Sequence, residues 1–344
     1  MTKVGILNVT GYAGSELARI LHHHPEVTIS SVTGRSASGQ KLNEVFPHLA
    51  DIDLVIEPEL GASVDLVFSG LPHRASAEKV IPLLDDGIKV VDISADFRLK
   101  NLETYEQWYQ TEHPRPEYLK EAVYGLTEIH RAEIPKARLI ANPGCYPSSA
   151  ILALAPAIKE GIIEPDIVID SKSGVSGAGR GLSLTTHFAE VNENLMAYSV
   201  EGHRHLPEIV QELGLLSAVP PEVMFLAHLV PMTRGILSSC YARLKDGAFP
   251  SSQVAREMVA ELYREFYKNE SFVKVCSSPP QTKQTWGNNL CLVYPTVDVR
   301  TGRLVVISCL DNLVKGAAGQ AVQNMNLMLD LPEATALEML AIYP

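Results

Sequence analysis

A chain of 344 residues is longer than a single hydrophobic core usually serves, so the sequence is read as two domains. Apolar content of 46% and charged content of 20% exclude general disorder, and a net charge of -11 argues against nucleic acid or an anionic membrane as partner. The five cysteines (145, 240, 276, 291 and 309) lie far apart, so they suggest neither a disulfide framework nor a zinc site. They fit a reducing, cytoplasmic setting, and no apolar run reaches membrane-spanning length.

From the N-terminus, Lys3–Leu7 reads as a buried strand, and a helix from Ala13 to His24 puts Leu17, Ile20 and Leu21 on one face. Strands at Val27–Thr33, Asp65–Ser69, Lys89–Ile93 and Leu139–Ile140 follow, with a helix through Ala75 to Leu84. This alternation implies βαβ units and a Rossmann-type parallel sheet with helices on both faces. Ile167–Asp170, Val223–Val230, Ile236–Leu244, Cys291–Arg300 and Arg303–Leu310 are strands with fewer helices between them, which suggests an α+β domain on a mixed sheet. Thr301-Gly302 makes a hairpin turn, and Gly316–Leu329 is an amphipathic helix. The domain boundaries fall near 145 and 313.

The first strand leads into Asn8-Val9-Thr10-Gly11-Tyr12-Ala13-Gly14, a partial dinucleotide fingerprint with asparagine where an earlier glycine is usual. Asparagine tolerates the left-handed backbone better than most residues, so the turn can still form. The second strand ends Val32-Thr33-Gly34-Arg35-Ser36 with no carboxylate for a ribose hydroxyl. Arg35 and Ser36 suit a 2′-phosphate, which favours NADP(H) over NAD(H).

Asn142-Pro143-Gly144-Cys145-Tyr146-Pro147 carries the chemistry. Asn-Pro-Gly is turn chemistry and Pro147 suits a first helical turn, so Cys145 sits at a helix N-terminus, where free amides favour a thiolate. A nucleophilic thiol needs a base, and His203-Arg204-His205 offers two imidazoles, with Glu208 able to orient one of them. Ser171-Lys172-Ser173-Gly174-Val175-Ser176-Gly177-Ala178-Gly179-Arg180 is read as a glycine-rich loop whose amides face an anion, helped by Lys172 and Arg180. Arg98, in Ser94-Ala95-Asp96-Phe97-Arg98 directly after a parallel strand, is a second candidate for holding phosphate or carboxylate. Two histidines without further ligands make no metal site, and none is expected.

Together these segments, with Gly202-His203-Arg204-His205-Leu206-Pro207-Glu208 and Asp311-Asn312-Leu313-Val314-Lys315-Gly316, resemble the N-acetyl-gamma-glutamyl-phosphate reductases. These are the arginine-biosynthesis relatives of aspartate-semialdehyde dehydrogenase. The resemblance implies Cys145 as nucleophile, His203 as acid/base, and Tyr198 and Glu208 as its supports. It further implies a cofactor turn at Thr10, Gly11, Tyr12 and Gly14, Asn312 and Gly316 near the nicotinamide, and Ser173 and Gly174 at the substrate. The same resemblance implies an NADP-binding domain over 1–145, to which 313–344 returns, a catalytic and oligomerisation domain over 146–312, and a homo-oligomer, dimer or tetramer, acting on a small acyl phosphate. Three other functions share parts of this pattern: an aspartate-semialdehyde dehydrogenase, a carrier-protein-linked reductase of lysine biosynthesis, and a non-catalytic dinucleotide-binding redox sensor. No run of basic residues supplies a docking face for an acidic carrier.

Overall fold

Val4 to Leu7 are buried without alternation, as are Leu66 to Ser69, which is the pattern of strands covered on both faces. These strands belong to one of two units in the computed structural model, which describes residues 1–61, 63–250 and 252–344. The first unit comprises 1–144 and 317–339, and the second 145–316 and 340–344.

The strands of the first unit are β1 (Thr2–Leu7), β2 (Val27–Thr33), β3 (Ile56–Glu57), β4 (Leu66–Ser69), β5 (Lys89–Asp92), β6 (Val123–Tyr124) and β7 (Leu139–Ala141). They form one sheet in the order β3-β2-β1-β4-β5-β7-β6, every pairing parallel. The order reverses between β1 and β4, so their carboxyl ends open the crevice where such sheets take ligands. Helix Tyr12–Leu21 buries Leu17, Ile20 and Leu21, as their spacing predicts. Helix Gly319–Met328 packs beside it.

The second unit is built on β8 (Ile163–Ser173), β9 (Met196–Tyr198), β10 (Glu222–Leu229), β11 (Ile236–Leu244), β12 (Val273–Val275), β13 (Cys291–Asp298) and β14 (Arg303–Leu310). Their order is β12-β13-β14-β11-β8-β10-β9, with β8–β10 and β12–β13 parallel and the remaining pairs antiparallel. Helix Cys145–Lys159 is buried from Tyr146 to Ile158 and lies on β11 and β14. Pro156 within it has no N–H for the carbonyl of Leu152; the Tyr267 hydroxyl donates to that carbonyl at 2.6 Å instead. Tyr263 donates similarly to Ala153 at 2.7 Å. Both tyrosines come from helix Ser252–Tyr267, which the sequence reading left unassigned.

β8 is longer than expected and takes in Ser171, Lys172 and Ser173, which the sequence reading placed in a loop. Ser171 sits on the buried face, where serine breaks an apolar alternation. It survives there because Ser171, Ser238, Ser149 and Ser308 hydrogen-bond one another at 2.7–2.9 Å, all fully buried.

Candidate active site

In the first unit, Asn8 adopts the left-handed backbone that its position demands, with φ 62. Its side-chain amide donates to the Gly70 carbonyl at 2.8 Å, closing the turn across the carboxyl ends of β1 and β4. Gly14 has no room for a side chain: a Cβ there would lie 2.3 Å from the Asn8 oxygen and 2.7 Å from Val9 Cα. Gly11 enters helix Tyr12–Leu21 in extended backbone, with no side-chain cap and no acidic residue in the first turn. Those amides are therefore suited to a pyrophosphate. Thr10 is buried and braces Gly34, while Arg35 and Ser36 stand exposed just past β2. These residues fit an NADP-type dinucleotide.

A polar cluster that sequence reasoning did not assemble joins the ends of β4 and β5. Asp96 is fully buried and accepts the Arg74 and Ala77 amides at 2.8 and 2.9 Å, with His73 Nδ1 at 2.5 Å. Burial pushes its carboxyl up, but the bonds from His73 and those two amides outweigh burial and lower it. Asp92 accepts from Ser76 and Ser94, both at 2.5 Å, and burial with the neighbouring Asp96 pushes it up to about 6. Arg98 differs from its expected role. It is 5% exposed and donates to the carbonyls of Asn142 and Ile93 at 2.8 and 2.7 Å, so it braces the turn before Cys145.

In the second unit, Cys145 is half-buried at the start of its helix. Gly316 faces it so closely that a Cβ at 316 would lie 2.8 Å from Cys145 Cβ. Gly316 is held by an N–H bond to the Asp311 carbonyl at 2.9 Å, within the single π-turn Val314–Ala318. The Asp311 carboxylate in turn receives the amides of Leu313 and Gly287, both at 2.8 Å. Asn312 is a clamp: its Nδ2 donates to Ser176 at 2.9 Å and its Oδ1 accepts the Gly235 amide at 2.7 Å.

Tyr146, next after Cys145, stands edge-on to His203 and His205, with ring centroids at 5.5 and 5.8 Å. His203 Nδ1 accepts the His205 amide at 3.0 Å, so the neutral ring carries its proton on Nε2. Burial, with Arg204 beside it, pushes His203 down to about 4. Tyr198 donates to the Tyr146 hydroxyl at 3.0 Å, and burial raises it to about 12. Glu208 is fully buried in the first turn of helix Leu206–Leu215.

The loop read as an amide cradle is built differently. The amides of Gly174, Val175 and Ser176 donate to the carbonyls of Gly235, Met232 and Thr233, and those of Gly177 and Gly179 to Gly174 and Ser176. A Cβ on Gly174 would lie 2.9 Å from that facing backbone, so its glycine serves close docking rather than an anion. Ser173 donates to the Gly174 carbonyl at 3.0 Å. Lys172 pairs with Asp170 at 2.8 Å, and only Arg180 of the predicted anion set stands exposed. Among the described residues no three His, Cys, Asp or Glu side chains gather to hold a metal.

Residues 3–137 match the NAD-binding domain of the semialdehyde dehydrogenases, and residues 145–312 match their dimerisation domain. Solved structures with the same fold include aspartate semialdehyde dehydrogenase II of Vibrio cholerae complexed with ASA (TM-score 0.69, 17% identity, 96% of this chain and 98% of that one). Another is aspartate semialdehyde dehydrogenase of Candida albicans with NADP (TM-score 0.65, 17% identity, 96% and 98%). Much nearer in sequence are two proteins named N-acetyl-gamma-glutamyl-phosphate reductase. That of Dehalococcoides mccartyi is 57% identical over 99% of both chains, and that of Pelotomaculum thermopropionicum 51% identical over 99% of both. With identity this high over nearly the whole length, the chain belongs to the N-acetyl-gamma-glutamyl-phosphate reductase family.

Proposed function

We infer that this protein is an NADP-dependent, phosphorylating aldehyde dehydrogenase that reduces N-acetyl-gamma-glutamyl phosphate to N-acetylglutamate 5-semialdehyde and phosphate in arginine biosynthesis. The observation that carries the reading is the near full-length identity of 57% to a reductase of that name. The cysteine at the start of the Cys145–Lys159 helix agrees with it. The first unit holds the cofactor through Thr10, Gly11, Tyr12 and Gly14 at the helix start and through Arg35 and Ser36 at the 2′-phosphate; Gly316 is kept side-chain-free against the nucleophile.

Cys145 thiolate attacks the γ-carbonyl carbon, the carbon–oxygen bond to phosphate breaks, and a thioester remains on Cys145. NADPH held by the first unit would supply the hydride for its reduction, after which the carbon–sulfur bond breaks to release the aldehyde and return the Cys145 thiolate. In each tetrahedral species the helix amides at Cys145 and the Nε2–H of His203 stabilise the oxyanion. His203, kept neutral by burial, or His205 beside it takes the thiol proton and returns it. Glu208 and Tyr198 support the pair, Arg180 draws the anionic substrate, and Arg98 acts through the turn it braces.

The enzyme works as a homo-oligomer, dimer or tetramer, in the cytoplasm. What supports assembly is the outer face of the mixed sheet, where Val168, Leu226, Tyr241, Tyr294 and Ile307 are only half-buried. Leu182, Leu184, Phe188, Leu195 and Val200 also stand exposed. Among the described residues no helix is long and apolar enough to cross a membrane.

The test is NADP⁺ reduction in the reverse direction, with N-acetylglutamate semialdehyde and aspartate semialdehyde compared, each with and without phosphate. Phosphate-dependent turnover of the acetylated aldehyde alone is expected. Turnover of aspartate semialdehyde instead would reassign the substrate, and activity on neither would favour a carrier-linked substrate or a silent sensor.

A further inference from the structure

Tyr146 has no role in the chemistry above, yet three aromatic rings and two hydrogen-bonding groups of the second unit converge on it. It is 2% exposed and peptide-bonded to the nucleophile. Three rings stand edge-on to its own: His203 at 5.5 Å, His205 at 5.8 Å and Phe225 at 5.5 Å. Its hydroxyl lies 3.2 Å from the carbonyl of His228 and 3.0 Å from the hydroxyl of Tyr198. A carbonyl can only accept, so the single Tyr146 proton goes to His228. The Tyr146 oxygen must then accept from Tyr198, which spends the Tyr198 proton as well. The order of donation is fixed, and Tyr198 can offer only lone pairs to anything else.

We propose that Tyr146 is a positioning residue: through its ring and its directional hydroxyl chain it fixes the histidine pair and Tyr198 relative to the thiol one residue away. Edge-to-face packing sets the angle of each imidazole, because the positive ring edge seeks the negative face of its neighbour. With Cys145 and Tyr146 on one rigid helix start, movement of that helix carries the ring platform with it. The proposal rests on the reading of Cys145 and the histidines as catalytic groups.

The test uses the full-length enzyme and compares Tyr146→Phe with Tyr146→Leu. Steady-state kinetics, NADPH affinity, melting temperature and the pH dependence of Cys145 alkylation by iodoacetamide are measured on each. Tyr146→Leu loses the platform, and kcat falls on the order of 100-fold, the scale of a misplacement of about 1 Å at a reacting group. NADPH affinity stays as in the parent and the alkylation profile shifts. Tyr146→Phe keeps the ring and loses one hydrogen-bond chain, so kcat falls only about 5- to 10-fold. A role in folding alone would lower the melting temperature and leave kcat and the alkylation profile of the folded enzyme unchanged; that result overturns the proposal. Should Tyr146→Leu not fold, Tyr146→Phe decides, since parental kcat in it also overturns the proposal. Turnover that survives Cys145→Ala would instead overturn the underlying reading.

Discussion

Replacing Asn8 separates backbone strain from hydrogen bonding at the cofactor turn. Asn8 sits at φ 62 and donates its side-chain amide to Gly70 at 2.8 Å. Alanine loses the hydrogen bond, about 0.5–1.5 kcal/mol, and strains the left-handed backbone by about 1–2 kcal/mol, so Asn8→Ala costs roughly 2–3 kcal/mol. Glycine loses the same bond but takes that backbone freely, so Asn8→Gly costs about 1 kcal/mol less than alanine. For a unit of this size each kcal/mol moves the melting temperature by about 2–4 °C. Thermal unfolding and NADPH titration by fluorescence are run on both variants. Alanine should be clearly the worse in melting temperature and in cofactor affinity. Equal losses would refute the strain argument, and loss in neither would refute the closure of the β1–β4 crevice by Asn8.

Gly316→Ala should lower kcat, because its Cβ arrives 2.8 Å from Cys145 Cβ and overpacking of that kind costs about 1–3 kcal/mol. Parental kcat would show that the contact is slack. His203, pushed down to about 4 by burial, should give flat imidazole NMR shifts from pH 8 to about pH 5.5 and titrate below that; a midpoint near 6.5 would deny its neutral role. Asp92 is held up at about 6 against an ordinary 3.8, so between those values the folded state keeps a proton that the unfolded chain has released. Its contribution to stability therefore falls as pH rises through that window, by about 3 kcal/mol. Denaturant titrations of the parent and of Asp92→Asn at several pH values should show this decline only in the parent; parallel profiles would contradict it.

Local chemistry explains what could be read from the sequence. Strands such as Leu66–Ser69, buried on both faces, announce themselves as apolar runs, and Asn-Pro-Gly before Cys145 marks a turn and a helix start by composition alone. Less visible was anything decided by a distant partner. Ser171 reads as loop until Ser238 and Ser149 are found bonded beside it. Glycines in 174–179 look like an anion cradle, but whether an amide is free depends on the facing carbonyls of residues 232–235, sixty residues away. Arg98 reads equally well as a ligand or as a brace, and only the position of the Asn142 carbonyl separates the two. The Asp96–His73 cluster gave no sequence signal at all beyond the proximity of Asp96 to a strand end.

The central claim is that the substrate's acyl group passes through a thioester on Cys145. The direct measurement is peptide mass spectrometry after the enzyme is quenched with N-acetyl-gamma-glutamyl phosphate in the absence of NADPH. The account predicts an N-acetylglutamyl adduct on the Cys145 peptide that vanishes on brief chase with NADPH and never forms in Cys145→Ala. Turnover without such an adduct, or an adduct on another residue that NADPH discharges at the catalytic rate, would contradict it.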